Sequence, residues 1–320
     1  MLERGVSFGY LPQENAPAGD ETVIELATAI KPEYVKLRRI LKAWEADHPT
    51  EALHPEDVHD DVHDRFNELG GYRLEAKARQ ILAGLGFRAL ATSSAASATA
   101  LGRRDGRLTR EEALAHVRSI VEATDLPVSA DLEKGFGDRP EVVAETIRLA
   151  AEVGLVGCTI EDATGKQDRP LYDVGLAVER IAAAAQAARA LPFPFILTAR
   201  AHNFLYAAPS LADTISRLQA FEKAGADVLF APGLPDLAAV GAVCAAVAKP
   251  VNFMVGIKGK SFSVGELAAA GVRRISLATS LYRAAMTGFL EAACEVKDTG
   301  QFGFLDRCVT TPELNKLMRI

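Results

Sequence analysis

From Phe87 onward the chain repeats one pattern: a short apolar run, a polar or glycine-bearing loop, then a longer segment rich in alanine and leucine. The apolar runs fall at 89–92, 128–130, 157–160, 195–199, 228–231, 251–255 and 273–277. Their length and their Val, Ile and Phe content predict strands. The intervening segments at 111–122, 142–153, 178–190 and 211–224 carry apolar residues at helical spacing. Such alternation gives a parallel sheet with helices outside it, because each parallel strand needs a crossover that returns the chain to the same end. A closed barrel needs eight strands, and seven follow Phe87. The helical segment 74–85 requires a strand upstream, and 5–11 is the candidate. The expectation is an α/β (β/α)8 TIM-type barrel with an irregular, partly helical N-terminal extension. Residues 1–87 supply the first strand, an oversized loop or small cap over 12–71 and the first barrel helix; residues 88–320 supply the rest of the barrel and C-terminal helices.

In such barrels the chemistry sits where strands end, and there the chain concentrates carboxylates. Asp131 and Glu133 lie two apart at the end of the 128–130 run, a spacing that points both the same way if the strand continues. Glu161 ends the next run in the same fashion. Three converging acids repel one another unless a cation lies among them, and oxygen donors suit Mg2+, with Mn2+ as a substitute. The plainer alternative is that these acids cap helices or solvate loops. Arg200 closes the 195–199 run and suits a bidentate grip on a carboxylate or phosphate, or else an ion pair with a rim acid. Ser93 and Ser94 end the 89–92 run among small residues that admit an anionic substrate; a tight turn is the alternative. Asn252 is a further substrate-binding candidate, and Asp105 a candidate contact to metal-bound water or a simple turn residue. A metal plus an arginine at a barrel mouth suits chemistry on a small 2-oxo or enol carboxylate.

Composition narrows the partners. A net charge of −6 argues against general nucleic-acid or anionic-membrane binding. Cys158, Cys244, Cys294 and Cys308 show no metal-ligand spacing, no apolar run approaches ~18 residues, and the opening residues do not form a signal peptide. The expected location is the cytoplasm. His59 and His63 have helical metal-pair spacing, but no third ligand accompanies them, and they read as the wet face of a charged helix. The chain lacks a G-x-x-x-x-G-K-[ST] phosphate loop.

The stretches Ala91-Thr-Ser-Ser94, Ser129-Ala-Asp-Leu-Glu-Lys-Gly-Phe-Gly-Asp138, Thr159-Ile-Glu-Asp-Ala163, Leu197-Thr-Ala-Arg200 and Gly303-Phe-Leu-Asp306 together resemble the isocitrate lyase/phosphoenolpyruvate mutase superfamily, from about residue 86 to the C-terminus. The resemblance implies Mg2+ held through Asp131, Glu133 and Glu161, with Asp105 acting through water. It also implies substrate contacts from Ser93, Ser94 and Arg200, and a homotetramer or homodimer with exchanged C-terminal helices. There are departures. Lyases of this superfamily carry a Lys-Lys-Cys-Gly-His loop whose cysteine is the acid/base, whereas the 163–173 loop here has no cysteine or histidine. Cys158 cannot substitute, because three residues before Glu161 on a strand it faces the other way. The longer Lys-Thr-Asn-Ser loop of the mutases is also missing, with Lys166 as a partial echo and hence the catalytic candidate beside Arg200. Glu133 stands where many relatives have Asp. The expected activity is an Mg2+-dependent lyase or mutase making or breaking a C–C or P–C bond beside a small 2-oxo or enol carboxylate; the alternative is a catalytically weak or inactive carboxylate-binding barrel. The N-terminal stretch Phe8-Gly-Tyr-Leu-Pro-Gln-Glu14, with the segment 62–87, resembles part of an ABC-F-type ATPase.

Overall fold

The computed structural model describes residues 89–206 and 210–317. The expected strand at 5–11, the cap over 12–71, the helix at 74–85, the His59–His63 pair and the ABC-F-like stretch lie outside the described residues.

Among the described residues, seven strands form one parallel sheet in strict sequence order: β1 (Leu90–Ala91), β2 (Val128–Asp131), β3 (Gly157–Glu161), β4 (Ile196–Arg200), β5 (Val228–Phe230), β6 (Val251–Met254) and β7 (Arg274–Ser276). All seven expected runs are strands, each within a residue or two of its sequence boundary. Between them run α1 (Ser94–Ala100), α2 (Arg110–Val121), α3 (Pro140–Glu152), α4 (Val174–Arg189), α5 (Leu211–Lys223), α6 (Leu237–Ala246) and α7 (Val264–Ala269). After β7 come α8 (Ser280–Thr299) and α9 (Thr311–Leu317). The sheet curls into a nearly closed barrel, and a bond from Arg274 Nη2 on β7 to Ser129 Oγ on β2 (3.2 Å) spans its interior.

Local chemistry explains the helix starts. Thr109 and Glu112 form a capping box that satisfies two otherwise free N–H groups at the start of α2, and Ser263 with Glu266 does the same for α7. Pro140 opens α3, where its missing N–H costs nothing. The core lies between helices and sheet, because alternate strand residues point outward: Val128 and Ala130 of β2 are buried against helices, while Ser129 and Asp131 face the other side. Ile147, Ile160, Leu197, Leu218, Phe221 and Leu229 are fully buried in that layer, each stabilising the fold by about 1.5–3 kcal/mol. At Gly157 a Cβ would come within 2.7 Å of the Ile196 carbonyl oxygen, so β3 and β4 can pair there only through glycine.

Helix α8 differs from the helices between the strands: none of its residues is buried, and Leu281, Phe289, Leu290 and Val296 are exposed. Among the described residues no helix is long and apolar enough to cross a membrane.

Candidate active site

Parallel strands end on the same side of the sheet, so three last residues meet there: Asp131 of β2, Glu161 of β3 and Arg200 of β4. Glu161 and Arg200 are register partners, and Arg200 Nη2 lies against Glu161 Oε2. Arg200 Nη1 donates to Asp131 Oδ2 at 3.4 Å, and Ser94 Oγ donates to the same oxygen at 3.0 Å. The Asp131 N–H donates in turn to Thr92 Oγ1 at 3.1 Å. Burial opposes ionisation of Asp131, but the Arg200 guanidinium, the Glu133 N–H and the Ser94 hydroxyl outweigh it and hold the carboxyl below its usual range.

Glu133 reaches the cluster by a different route from the one its spacing suggested. Strand β2 stops at Asp131, and Glu133 has φ 51°, in the left-handed region, so strand alternation does not orient it. The turn is clasped at two points: the Glu133 N–H donates to Asp131 Oδ1 (3.2 Å), and its carbonyl accepts from the Glu161 N–H (2.9 Å). Burial first, then the negative charges of Asp131 and Asp105, push the Glu133 carboxyl up to about 7. Asp105 itself is exposed, near enough for its charge to act on Glu133 and His202.

The remaining candidates spread out. Ser93 is buried and serves as the N-cap of α1, its hydroxyl accepting from Ala96 N at 3.5 Å. Asn252 is 1% exposed, its amide donating to Ser276 Oγ (3.1 Å) and accepting from Arg274 Nη1 (3.3 Å). Lys166 is exposed on the 163–173 loop, with Nζ 3.7 Å from Asp138 Oδ2. Around Asp138 a second network forms: Tyr172 Oη donates to it at 2.5 Å, and Lys134 Nζ bridges it (2.9 Å) to the Thr164 carbonyl (3.1 Å). Arg180, 1% exposed, donates to the carbonyls of Lys134, Gly137 and Asp138 and stacks 4.2 Å over the Tyr172 ring. Cys158 is buried in the core with its thiol pushed up by burial, which agrees with the expectation that it faces away from the acids.

Sequence reasoning missed His202. It lies two residues beyond Arg200, and the Asp162 carboxylate holds its backbone N–H at 2.8 Å while also accepting from Arg217 (3.1 Å). The His202 Nδ1 sits 3.4 Å from Glu161 Oε2. Burial and then the Arg200 charge drive the imidazole down to about 3, so it is neutral. The available signal was position alone: a histidine two residues past a strand that ends in an arginine.

Two buried polar atoms in this corner, Arg200 Nε and His202 Nδ1, make no hydrogen bond, while Glu161 Oε2 is held by its ion pair with Arg200 Nη2. Among the described residues no three His, Cys, Asp or Glu side chains are arranged to hold a metal ion directly. The donor chemistry is that of a hard divalent ion, since the carboxylates Asp131, Glu133, Glu161 and Asp105 together outnumber the Arg200 charge.

Comparison with known proteins gives the family of the chain. Residues 75–297 match the family model described as phosphoenolpyruvate phosphomutase. A crystal structure of a putative lyase/mutase from Burkholderia cenocepacia J2315 is similar, with 51% identity and TM-score 0.75 over 77% of this chain and 88% of that one. The structure of oxaloacetate acetylhydrolase in complex with the product oxalate has 25% identity and TM-score 0.68, covering 76% of this chain and 86% of that one. A probable 2-methylisocitrate lyase 2 of Corynebacterium glutamicum is 29% identical over 244 residues, 73% of this chain and 78% of the relative.

Proposed function

We propose that this chain, which belongs to the phosphoenolpyruvate phosphomutase family, makes or breaks a C–C or P–C bond beside a small 2-oxo or enol carboxylate. The observation that carries the reading is the buried Arg200 Nε at the strand ends, which makes no hydrogen bond. A buried guanidinium N–H without an acceptor is costly, and a substrate carboxylate supplies the acceptor. In this reading Asp131, Glu133 and Glu161 hold Mg2+ or Mn2+, with Asp105 acting through water. The ion, when bound, polarises the substrate carbonyl and stabilises negative charge that develops on it.

The protein's own groups do the rest. Arg200 holds and orients the carboxylate. Ser94 fixes Asp131, Ser93 shapes the N-terminus of α1 beside it, and Asn252 lends a polar amide within the barrel. Lys166 enters the chemistry only if its loop moves, because at rest it pairs with Asp138. The exposed apolar face of α8 supports self-association as a homodimer or homotetramer, checked by light scattering.

A second reading has its own support. The 163–173 loop offers no cysteine or histidine as a proton carrier, which favours a carboxylate-binding barrel with weak or no turnover. Calorimetry on metal-stripped protein with Mg2+, and then with oxalate as an enolate mimic, tests the site. Mg2+-dependent oxalate binding that is lost in Asp131→Ala supports it; a folded protein that binds neither overturns it. Turnover of a panel of 2-oxo acids then separates enzyme from binder.

A further inference from the structure

With no cysteine or histidine on the 163–173 loop, a proton carrier has to come from elsewhere at the strand ends. Lys166 is paired with Asp138, Tyr172 is 2% exposed and donates to the same carboxylate, and Cys158 lies in the core. Tyr206 is different. It follows Arg200 on the loop after β4, it is 36% exposed, and among the described residues its hydroxyl has no hydrogen-bond partner. Its backbone is nevertheless fixed. The Asp162 carboxylate grips the His202 N–H at 2.8 Å, the short helical turn Asn203–Leu205 follows, and the Tyr206 N–H donates to the Asn203 carbonyl at 3.1 Å. The Asn203 amide is tied to Thr214 Oγ1 on α5 at 2.7 Å. The His202 ring meets Glu161 Oε2 through Nδ1 at 3.4 Å and the Tyr206 ring edge-on, with centroids 5.7 Å apart. A phenol is thus held at the corner where Glu161 and Arg200 meet, its O–H open to whatever binds there. Burial keeps that phenol above its ordinary value against the pull of the Arg200 charge, so it is protonated at neutral pH.

We infer that Tyr206 is the proton donor that completes a C–C bond cleavage at this site, so that the chain works as a lyase and not as a phosphonate mutase. The inference rests on the carboxylate-binding reading above and adds to it a catalytic residue and a reaction type. When the C–C bond breaks, its electron pair stays on the 2-oxo acid as an enolate. The other fragment departs as CO2, or as a carbonyl compound whose hydroxyl proton has passed to water. The Tyr206 O–H bond then breaks, a C–H bond forms at the enolate carbon, and the phenolate recovers a proton from water. A mutase that moves a phosphoryl group within one molecule leaves no carbanion to protonate, and an open phenol has no task there.

The test follows the same proton in reverse, on the full chain in D2O buffer containing Mg2+. Proton NMR reads the exchange of the methyl protons of pyruvate, and calorimetry measures oxalate binding beside it. Wild-type protein is expected to exchange the methyl group faster than buffer alone and to stop when oxalate is added. The protein-dependent rate is expected to rise about tenfold per pH unit below pH ~10, as the phenolate fraction grows. Tyr206→Phe keeps the ring against His202; it is expected to lose at least ~100-fold of the exchange, with oxalate affinity unchanged within ~3-fold. Exchange that persists in the variant assigns the proton to another group, Glu133 among them, and overturns the inference. A wild-type protein that binds oxalate and leaves the methyl protons alone overturns it too. So does a variant that loses oxalate binding, because Tyr206 is then a binding residue. A folded wild-type protein that does not bind oxalate removes the carboxylate site and the inference together.

Discussion

Two charged networks sit a few residues apart on the same loops, and they are built to opposite rules. Around Asp138 every group is matched: Tyr172, Lys134 and Lys166 surround the carboxylate, and the three Arg180 bonds end on carbonyls. The Tyr172 and Lys134 hydrogen bonds hold the Asp138 carboxyl down at about 2. Around Asp131 the acids outnumber the guanidinium, Glu133 rises to about 7, and two buried nitrogens, Arg200 Nε and His202 Nδ1, make no hydrogen bond. A network that only holds the fold gains by satisfying each member. One that leaves polar atoms buried and unmatched is stabilised by something it has yet to bind. The contrast fits a structural role for the first and the proposed ligand capture for the second.

The strongest way to break the comparison is Arg180→Ala. It strands three carbonyls and removes the stack on Tyr172, so a loss of roughly 3–5 kcal/mol is expected in denaturant unfolding. A loss below ~1 kcal/mol would deny the Asp138 side its structural role. Glu133→Gln is expected to act with the opposite sign. Its carboxyl is raised in the fold, so above its ordinary range the charged form opposes folding; removing that charge at pH 8 should leave stability unchanged or raise it by ~1 kcal/mol. Marked destabilisation would mean the rim acids are satisfied after all.

The smallest effect sharpens the comparison through pH. The folded Asp138 pKa is depressed, so its stabilising contribution is present above the ordinary carboxylate value and fades as pH falls toward about 2. Because Asp138 is half exposed, the contribution is small. Tyr172→Phe should cost about 1 kcal/mol at neutral pH. It should also return the Asp138 titration, followed by carboxyl NMR, toward the usual range. An unmoved titration would show that Lys134 alone sets it.

Much of this was legible without coordinates. The 128–130, 157–160 and 195–199 runs placed Asp131, Glu161 and Arg200 at neighbouring strand ends, and these three residues do meet. Strand periodicity and the chain-order pairing of parallel strands are local rules, so the apolar pattern by itself determined the sheet, its order and this corner of the site. Loops obey no such rule. Only the tertiary structure decided that β2 ends before Glu133, which a left-handed turn then aims, and that Lys166 answers to Asp138 instead of the acids. It likewise decided that Asn252 pairs with Arg274 across two strands and that His202 turns inward against Glu161. Each of those outcomes depends on partners at least 20 residues away, and a side chain's orientation beyond a strand end is set by which of those partners the fold brings within reach.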